Sequence, residues 1–200
     1  MEDSFFTINK PSRGLYKVKG SKFISLAFPV SNETEINSVL NSLHKEYHDA
    51  RHHCYAWKIG FKGDRYRIND DGEPSGTAGK PILGQINAKQ LTNILLVVIR
   101  YFGGILLGTG GLTHAYKNAA SSALENAEII EEYIYKTFYL TFDYSEINQV
   151  RKVLHECEGI VLKEEFKDNC KMNVNIREKF ELKFIQLIER LNIAEFEEIV

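Results

Sequence analysis

The run Ile94-Leu95-Leu96-Val97-Val98-Ile99 constrains the fold more than any other part of the chain. Six consecutive apolar residues leave no polar face, so a strand made of them must be covered on both sides. The run is far shorter than the roughly 20 residues a membrane-crossing helix requires. It continues through Arg100-Tyr101-Phe102 and breaks at Gly103-Gly104. Downstream, Leu112, Ala115, Tyr116, Ala119, Ala120, Ala123, Leu124 and Ala127 recur at helical spacing, with small side chains that allow close packing on a sheet. Upstream, Lys22–Val30 alternates as a strand, with Ile24, Leu26, Phe28 and Val30 on one face. Asn32 then caps a helix with Glu35 as its capping-box partner, and Ile36, Val39, Leu40, Leu43 and Tyr47 form its apolar stripe. Tyr55, Trp57, Ile59 and Phe61 alternate again, and Gly63-Asp64 turns the chain back into Arg65–Ile68.

Thirteen of the fourteen glycines precede residue 134, and only Gly159 follows. Two domains are therefore expected, 1–133 and 134–200, with a short stiff joint in place of a Gly/Ser linker. The second reads as strand (Phe138–Phe142), helix (Ile147, Val150, Leu154, Cys157), strand (Ile160–Phe166) and strand (Cys170, Met172, Val174, Ile176). A helix (Phe180, Phe184, Leu187, Ile188, Leu191) and a strand (Ile193–Val200) complete it. That order is the ferredoxin-like split βαβ pattern, and the whole chain is expected to be of the α+β class.

The 25 Lys+Arg and 27 Asp+Glu give a net charge of -2, so no chain-wide basic field advertises nucleic acid. A local stripe is available at Arg51–Arg67, where Asp64 is the one acid. Met1-Glu2-Asp3-Ser4 opens without an apolar segment, so a secretory signal is not expected. Cys54, Cys157 and Cys170 contain no C-x-x-C pair, as suits reduced thiols in a cytoplasmic protein.

Two loops carry the polar chemistry. The first, Asn69 to Pro81, holds Asp70, Asp71, Glu73, Ser75, Thr77 and Lys80 on a chain that glycine and proline bend. It could present backbone N–H groups and Lys80 to an anion, or carboxylates to a metal, or be a solvated loop. Pro74 and Pro81 stand where a Walker A loop needs glycine and Ser/Thr. The second runs from Arg100, Tyr101 and Phe102 through Gly103, Gly104, Gly108, Gly110 and Gly111. Glycines between a strand end and a helix start let amides approach an anion; they equally suit positive φ and tight packing. Arg100 would supply a guanidinium fork, and Tyr101 and Phe102 stacking faces or core. His44, His48 and His52 recur every four residues, but without H-E-x-x-H no metal is expected there. His53 is placed to line a site or bond within the core. No nucleophile–base pair is evident, and no cofactor is expected.

Three segments together resemble the YigZ/IMPACT family: Ala50-Arg51-His52-His53-Cys54-Tyr55-Ala56-Trp57, Asp70 to Pro81, and Val98 to Leu112. Gly20-Ser21-Lys22-Phe23 also fits. The resemblance covers roughly residues 15–127, and the second part resembles the C-terminal domain of bacterial YigZ-like members. It implies an N-terminal α/β domain similar to a ribosomal-protein-like domain of elongation factor G, then a ferredoxin-like domain. Eukaryotic IMPACT regulates translation under amino-acid starvation and carries a further RWD domain, for which this chain has no room. RNA, the ribosome or a translation-related protein are the partners implied, in a cytoplasmic and non-membrane setting. Two functions stay open. One is a non-catalytic regulator in translation or stress response gripping an anionic partner through Lys80, Arg100 and the glycine amides. The other is a small hydrolase or group-transfer enzyme using Asp70, Asp71, Glu73 and the Gly103–Gly111 loop.

Overall fold

A computed structural model describes residues 3–191 and 194–199, and shows a mixed α/β protein in two compact units. One unit is Phe5–Glu132; the other is Tyr133–Val200 together with Met1–Ser4.

In the first unit the elements are β1 (Ser4–Ile8), β2 (Ser12–Val18), β3 (Ser21–Pro29), α1 (Glu33–Glu46), β4 (His52–Ile59), β5 (Arg65–Asn69), α2 (Gly79–Ala88), β6 (Ile94–Tyr101), α3 (Gly108–Glu125) and β7 (Ile129–Tyr133). Five strands form one antiparallel sheet in the order β2-β3-β6-β4-β5, which places the apolar β6 at its centre. Alternation sorts the side chains onto two faces. Phe23, Ala27, Cys54, Ala56, Leu96 and Val98 meet α2 and α3 on one face. Ile24, Tyr55, Trp57, Leu95, Val97 and Ile99 meet Ile36 and Leu43 of α1 on the other. Each fully buried Leu or Val contributes roughly 1.5–3 kcal/mol of transfer free energy. The alanine face of α3 approaches so closely that a Cβ on Gly14 of β2 would lie 2.4 Å from Ala123 N.

The α1 cap forms as expected at Asn32, whose Oδ1 accepts from Glu35 N at 2.9 Å. The return bond differs, because the Glu35 carboxylate accepts from Ser31 N and Ser31 Oγ, one residue before the cap. Phe61 lies beyond β4 and is exposed. Helix α2 begins inside the stretch read as a loop. Pro81 is accommodated in its first turn, where an amide has no helical partner to lose.

The second unit contains β8 (Tyr135–Phe142), α4 (Ile147–Glu156), β9 (Ile160–Phe166), β10 (Cys170–Arg177), α5 (Glu181–Leu191) and β11 (Ala194–Ile199). Its antiparallel sheet has the order β11-β8-β10-β9. Val150, Leu154, Phe184 and Ile188 of the two helices pack on Phe138, Leu140, Met172, Val174 and Ile176. The ends of the last expected strand, Ile193 and Val200, lie outside the described residues. Asp3, expected with the first part, groups with the second. Its carboxylate accepts from Arg177 Nε at 3.0 Å and Nη2 at 2.9 Å, and its carbonyl accepts from Ile134 N at 2.7 Å. The Arg177 guanidinium lies 3.6 Å from the Tyr133 ring centre. A half-buried cation therefore finds both a bidentate carboxylate and an aromatic face.

Candidate functional site

The Asn69–Pro81 loop is organised by its own carboxylates. Asp70 Oδ2 accepts from Gly76 N at 2.8 Å, and Oδ1 accepts from Ala78 N at 3.0 Å and Gly79 N at 2.8 Å. The positive end of α2 is thereby answered from within the chain. Burial alone would raise the Asp70 pKa. The amides of Gly76, Gly79 and Ala78, with Lys80 nearby, outweigh it and hold the group below its ordinary value. Asp71 sits at φ +40, a region a non-glycine residue enters only when its surroundings over-determine it. Those surroundings lie at the start of β4: Asp71 Oδ2 accepts from His53 N at 2.6 Å, and Asp71 O lies 2.7 Å from His52 Nδ1. A carbonyl only accepts, so His52 Nδ1 carries the proton. Thr77 is buried and its hydroxyl donates to Pro74 O, whereas Ser75 and Lys80 are exposed.

Arg100 is placed otherwise than expected. It follows Val98 and Leu96 onto the face covered by α2 and α3, and is only 6% exposed. Nη1 donates to Glu73 Oε1 at 2.6 Å, and Tyr116 Oη of α3 donates to the same oxygen at 2.8 Å. The Phe23 and Phe102 ring centres lie 5.5 and 5.6 Å from its Cζ. The guanidinium thus serves as an internal tie between the two loops and α3, not as a solvent-facing phosphate fork. Cys54 Sγ lies 3.3 Å from Tyr116 Oη and 3.0 Å from Asp70 O, and its single proton serves one of them. Burial drives the Cys54 thiol well above its ordinary range, which keeps it protonated and a poor nucleophile. All three loop carboxylates accept from donors of the protein itself: Asp70 from amides, Asp71 from His53 N, Glu73 from Arg100 and Tyr116.

The second loop divides into a packed half and an open half. A Cβ on Gly103 would fall 1.9 Å from Gly20 C, and Gly103 N donates to Ser21 Oγ at 3.1 Å. Gly104 and Gly108 have φ of +87 and +69, and a Cβ on Gly110 would meet nothing within 4 Å. Helix α3 opens at Gly108 with no side-chain cap. Gly111 is exposed in its first turn. Before it, Phe102, Ile105 and Leu106 are exposed, Leu106 to 83%. Tyr101 donates its hydroxyl to Asp49 Oδ1 at 2.7 Å, and that carboxylate together with burial pushes the phenol up to about 12.

The β2–β3 hairpin ends on the same side of the sheet. Lys19 (φ +46) and Gly20 (φ +76) form its turn, and Lys17 stands directly across from Lys22. Lys22 in turn faces Tyr101 across the β3–β6 ladder, its ammonium 5.9 Å from that ring centre. Lys17, Lys19 and Lys22 are exposed and take part in no ion pair among the described residues. Like charges directly opposite on a ladder repel.

The family described as Impact N-terminal domain matches residues 19–124, slightly more than half the chain. The IMPACT family member YvyE of Bacillus subtilis (strain 168) is 32% identical over 179 residues, covering 90% of this chain and 82% of YvyE. The chain belongs to the IMPACT family. Its member YigZ of Escherichia coli (strain K12) is 35% identical over 152 residues, covering 75% of this chain and 74% of YigZ. A crystal structure described as that of a hypothetical protein superposes with a TM-score of 0.71 at 28% identity, over 100% of this chain and 98% of that one.

The IMPACT-family segment brings together more of the expected residues than it leaves apart. His52, Asp70, Asp71, Glu73 and Arg100 converge on one internal network. Tyr101, Phe102, Gly103 and Gly104 form the rim next to the hairpin, and Gly108, Gly110 and Gly111 open α3. His53 instead faces α1, buried, with its ring 4.2 Å from that of His44 and its Nε2 without a partner. Burial and His44 lower its pKa. No group of three or more metal-ligating side chains occurs among the described residues. The Arg51–Arg67 stripe is partly absorbed, since Arg65 pairs with Glu33 and Lys58 Nζ donates to Asn87 Oδ1. Sequence reading missed the hairpin lysines. The signal was present: Lys10, Arg13, Lys17, Lys19 and Lys22 precede Glu33 with no acid after Asp3.

Proposed function

We propose that this IMPACT-family protein is a non-catalytic regulator in translation or stress response that binds an anionic partner, RNA or the ribosome, through its first unit. The observation that carries the proposal is the bare lysine tip of the hairpin. Lys17 and Lys22 are held face to face with Lys19 at the turn, and no carboxylate of the described residues pairs with them. A sheet that keeps such a repulsion gains most from a polyanion that relieves it. Lys80, the open amides at Gly108–Gly111 and the exposed Phe102 extend the same surface chemistry toward phosphates and a base. The internal pairing of Arg100 with Glu73 removes Arg100 from the contact surface and assigns it to shaping the rim. In the same reading the first unit corresponds to the elongation-factor-G-like domain, and the second, with its split βαβ strand order, to the ferredoxin-like one. No helix of the described residues is long and apolar enough to cross a membrane.

The test is binding of a labelled single-stranded RNA and of purified ribosomes across a salt series. Lys17→Ala/Lys22→Ala should weaken binding roughly tenfold and make the logarithmic salt slope shallower by one to two units. The circular dichroism spectrum should be unchanged. A double variant that binds with the affinity and slope of the parent would overturn the proposal.

A further inference from the structure

Strand β9 is the outermost strand of the second unit's sheet and, among the described residues, pairs with β10 alone. Free sheet edges are ordinarily blunted, because their unpaired N–H and C=O groups invite another strand. Half of β9 is blunted in this way. Lys163 opposes Asn173 and Val161 opposes Val174, so Leu162 is one residue in excess and the ladder bulges there. From Lys163 to Phe166 the strand is regular again. Glu164 opposes Met172 and Phe166 opposes Cys170, which sets Leu162, Glu164 and Phe166 on the helix-bearing face. Lys163 and Glu165 fall on the open face. Leu162 and Phe166 remain 56% and 40% exposed on this edge.

We propose that β9 pairs with β9 of a second copy of this chain, antiparallel about a two-fold axis through Glu164, joining the two sheets into one. The residue order selects that register. A two-fold perpendicular to the sheet must pass through a residue, since opposed residues in an antiparallel pair share a face. Centred on Glu164, Leu162 of one copy meets Phe166 of the other, and Lys163 meets Glu165, each contact occurring twice. The two Glu164 side chains meet at the axis, where each has Arg151 of its own copy 3.4 Å away. Centred on Lys163, two lysines with no ion pair among the described residues would meet, Leu162 would face Glu164, and Val161 would have to face Glu165 from beyond the bulge. The Glu164 register sets an apolar Leu162–Phe166 pair on each side of the Arg151-accompanied glutamates on one face and Lys163–Glu165 pairs on the other, and it reaches the bulge only at its last residue, Leu162. It also covers the exposed Leu162 and Phe166, which a lone chain leaves in water.

Sedimentation velocity on the full chain tests it. The expected mass is twice the 22.9 kDa of one chain at tens of micromolar protein. Lys163→Glu sets two acids opposite each other in both symmetric contacts and should weaken the dimer at least about tenfold. Glu165→Lys should do the same, and the double variant K163E/E165K should restore it. Lys163 is exposed and Glu165 half-buried, and each of the three variants is checked for an unchanged circular dichroism spectrum. A parent chain that sediments as a monomer at 100 micromolar overturns the proposal; the edge would then be open to an extended peptide of another protein. A dimer indifferent to both single charge reversals overturns it equally.

Discussion

The Glu73–Arg100 pair is where removal of one side chain should cost the first unit most. Truncation by Glu73→Ala leaves a guanidinium that is 94% hidden, between Phe23 and Phe102, with no counter-charge. The same change strips Tyr116 Oη of the acceptor it donates to. Breaking a buried pair by deleting one partner costs about 3–5 kcal/mol. The orphaned phenol overlaps that figure and does not simply add to it. Stability changes of this size lower the melting temperature of a domain this large by about 10–15 °C. Replacing both partners by apolar residues, Glu73→Leu with Arg100→Met, removes both desolvated charges and should cost clearly less than either single change. Urea unfolding of the parent, the two singles and the double forms the cycle. Two results would refute the reasoning: a Glu73→Ala loss below about 1 kcal/mol, or a double variant whose loss equals the sum of the singles.

Two further outcomes follow from the same geometry. Gly103→Ala should lower stability by about 3 kcal/mol or more, because its Cβ would fall within 2.1 Å of backbone atoms of Gly20 and Ser21; Gly110→Ala, with open space around it, should stabilise α3 by up to about 1 kcal/mol. Urea midpoints of the two variants, moving in opposite directions, check the pair. Acid should unfold the protein in two stages. Burial and His44 lower the His53 pKa, so its neutral form stabilises the fold above its unfolded value near 6.5, and that stability is lost as pH falls through the folded value. Asp3, buried, and Asp70, half-buried, nonetheless titrate low, through Arg177 and through the loop amides respectively. Their contribution is present above about pH 4, the unfolded range, and lost as pH falls further. Unfolding free energies measured between pH 3 and 7 should show the second stage shrink in Asp70→Asn, and an unchanged profile in that variant would count against the amide cradle.

What was legible in the sequence was whatever a period could carry. The unbroken Ile94–Ile99 run marks β6 as the central strand, and alternation in β3 and β4 sorts their side chains onto two faces. The α1 stripe from Ile36 to Tyr47 and the alanine face of α3 were equally plain. Helix α2 was hidden because Gly79, Pro81 and Gly84 fall within its ten residues and carry loop composition. Gly79 is there for contact: its Cβ would lie 2.9 Å from Ile68 Cβ, so only glycine lets α2 start so near β5. The lysine hairpin was hidden for another reason. A near-neutral total says nothing of where the charges stand, and five bases ahead of Glu33 are balanced by acids far along the chain.

The candidate site exposes a deeper ambiguity. Glycines before a helix, a lysine and an arginine at a strand end are what a phosphate site requires, because all supply donors to an anion. An internal carboxylate requires the same donors. Asp70 meets the amides of Gly76, Ala78 and Gly79, and Glu73 meets Arg100, so two of the anions these groups would attract are already in the chain. The residues that separate the two cases are the acids next to the glycines. The first loop brings three acids between residues 70 and 73, and its amides are filled. The second loop has no acid between Arg100 and Glu125, and its helix start is uncapped. Any external anion should therefore find its free amides at the second loop, with the lysine hairpin beside it, while the carboxylates of the first loop hold the rim in shape and leave Lys80 exposed.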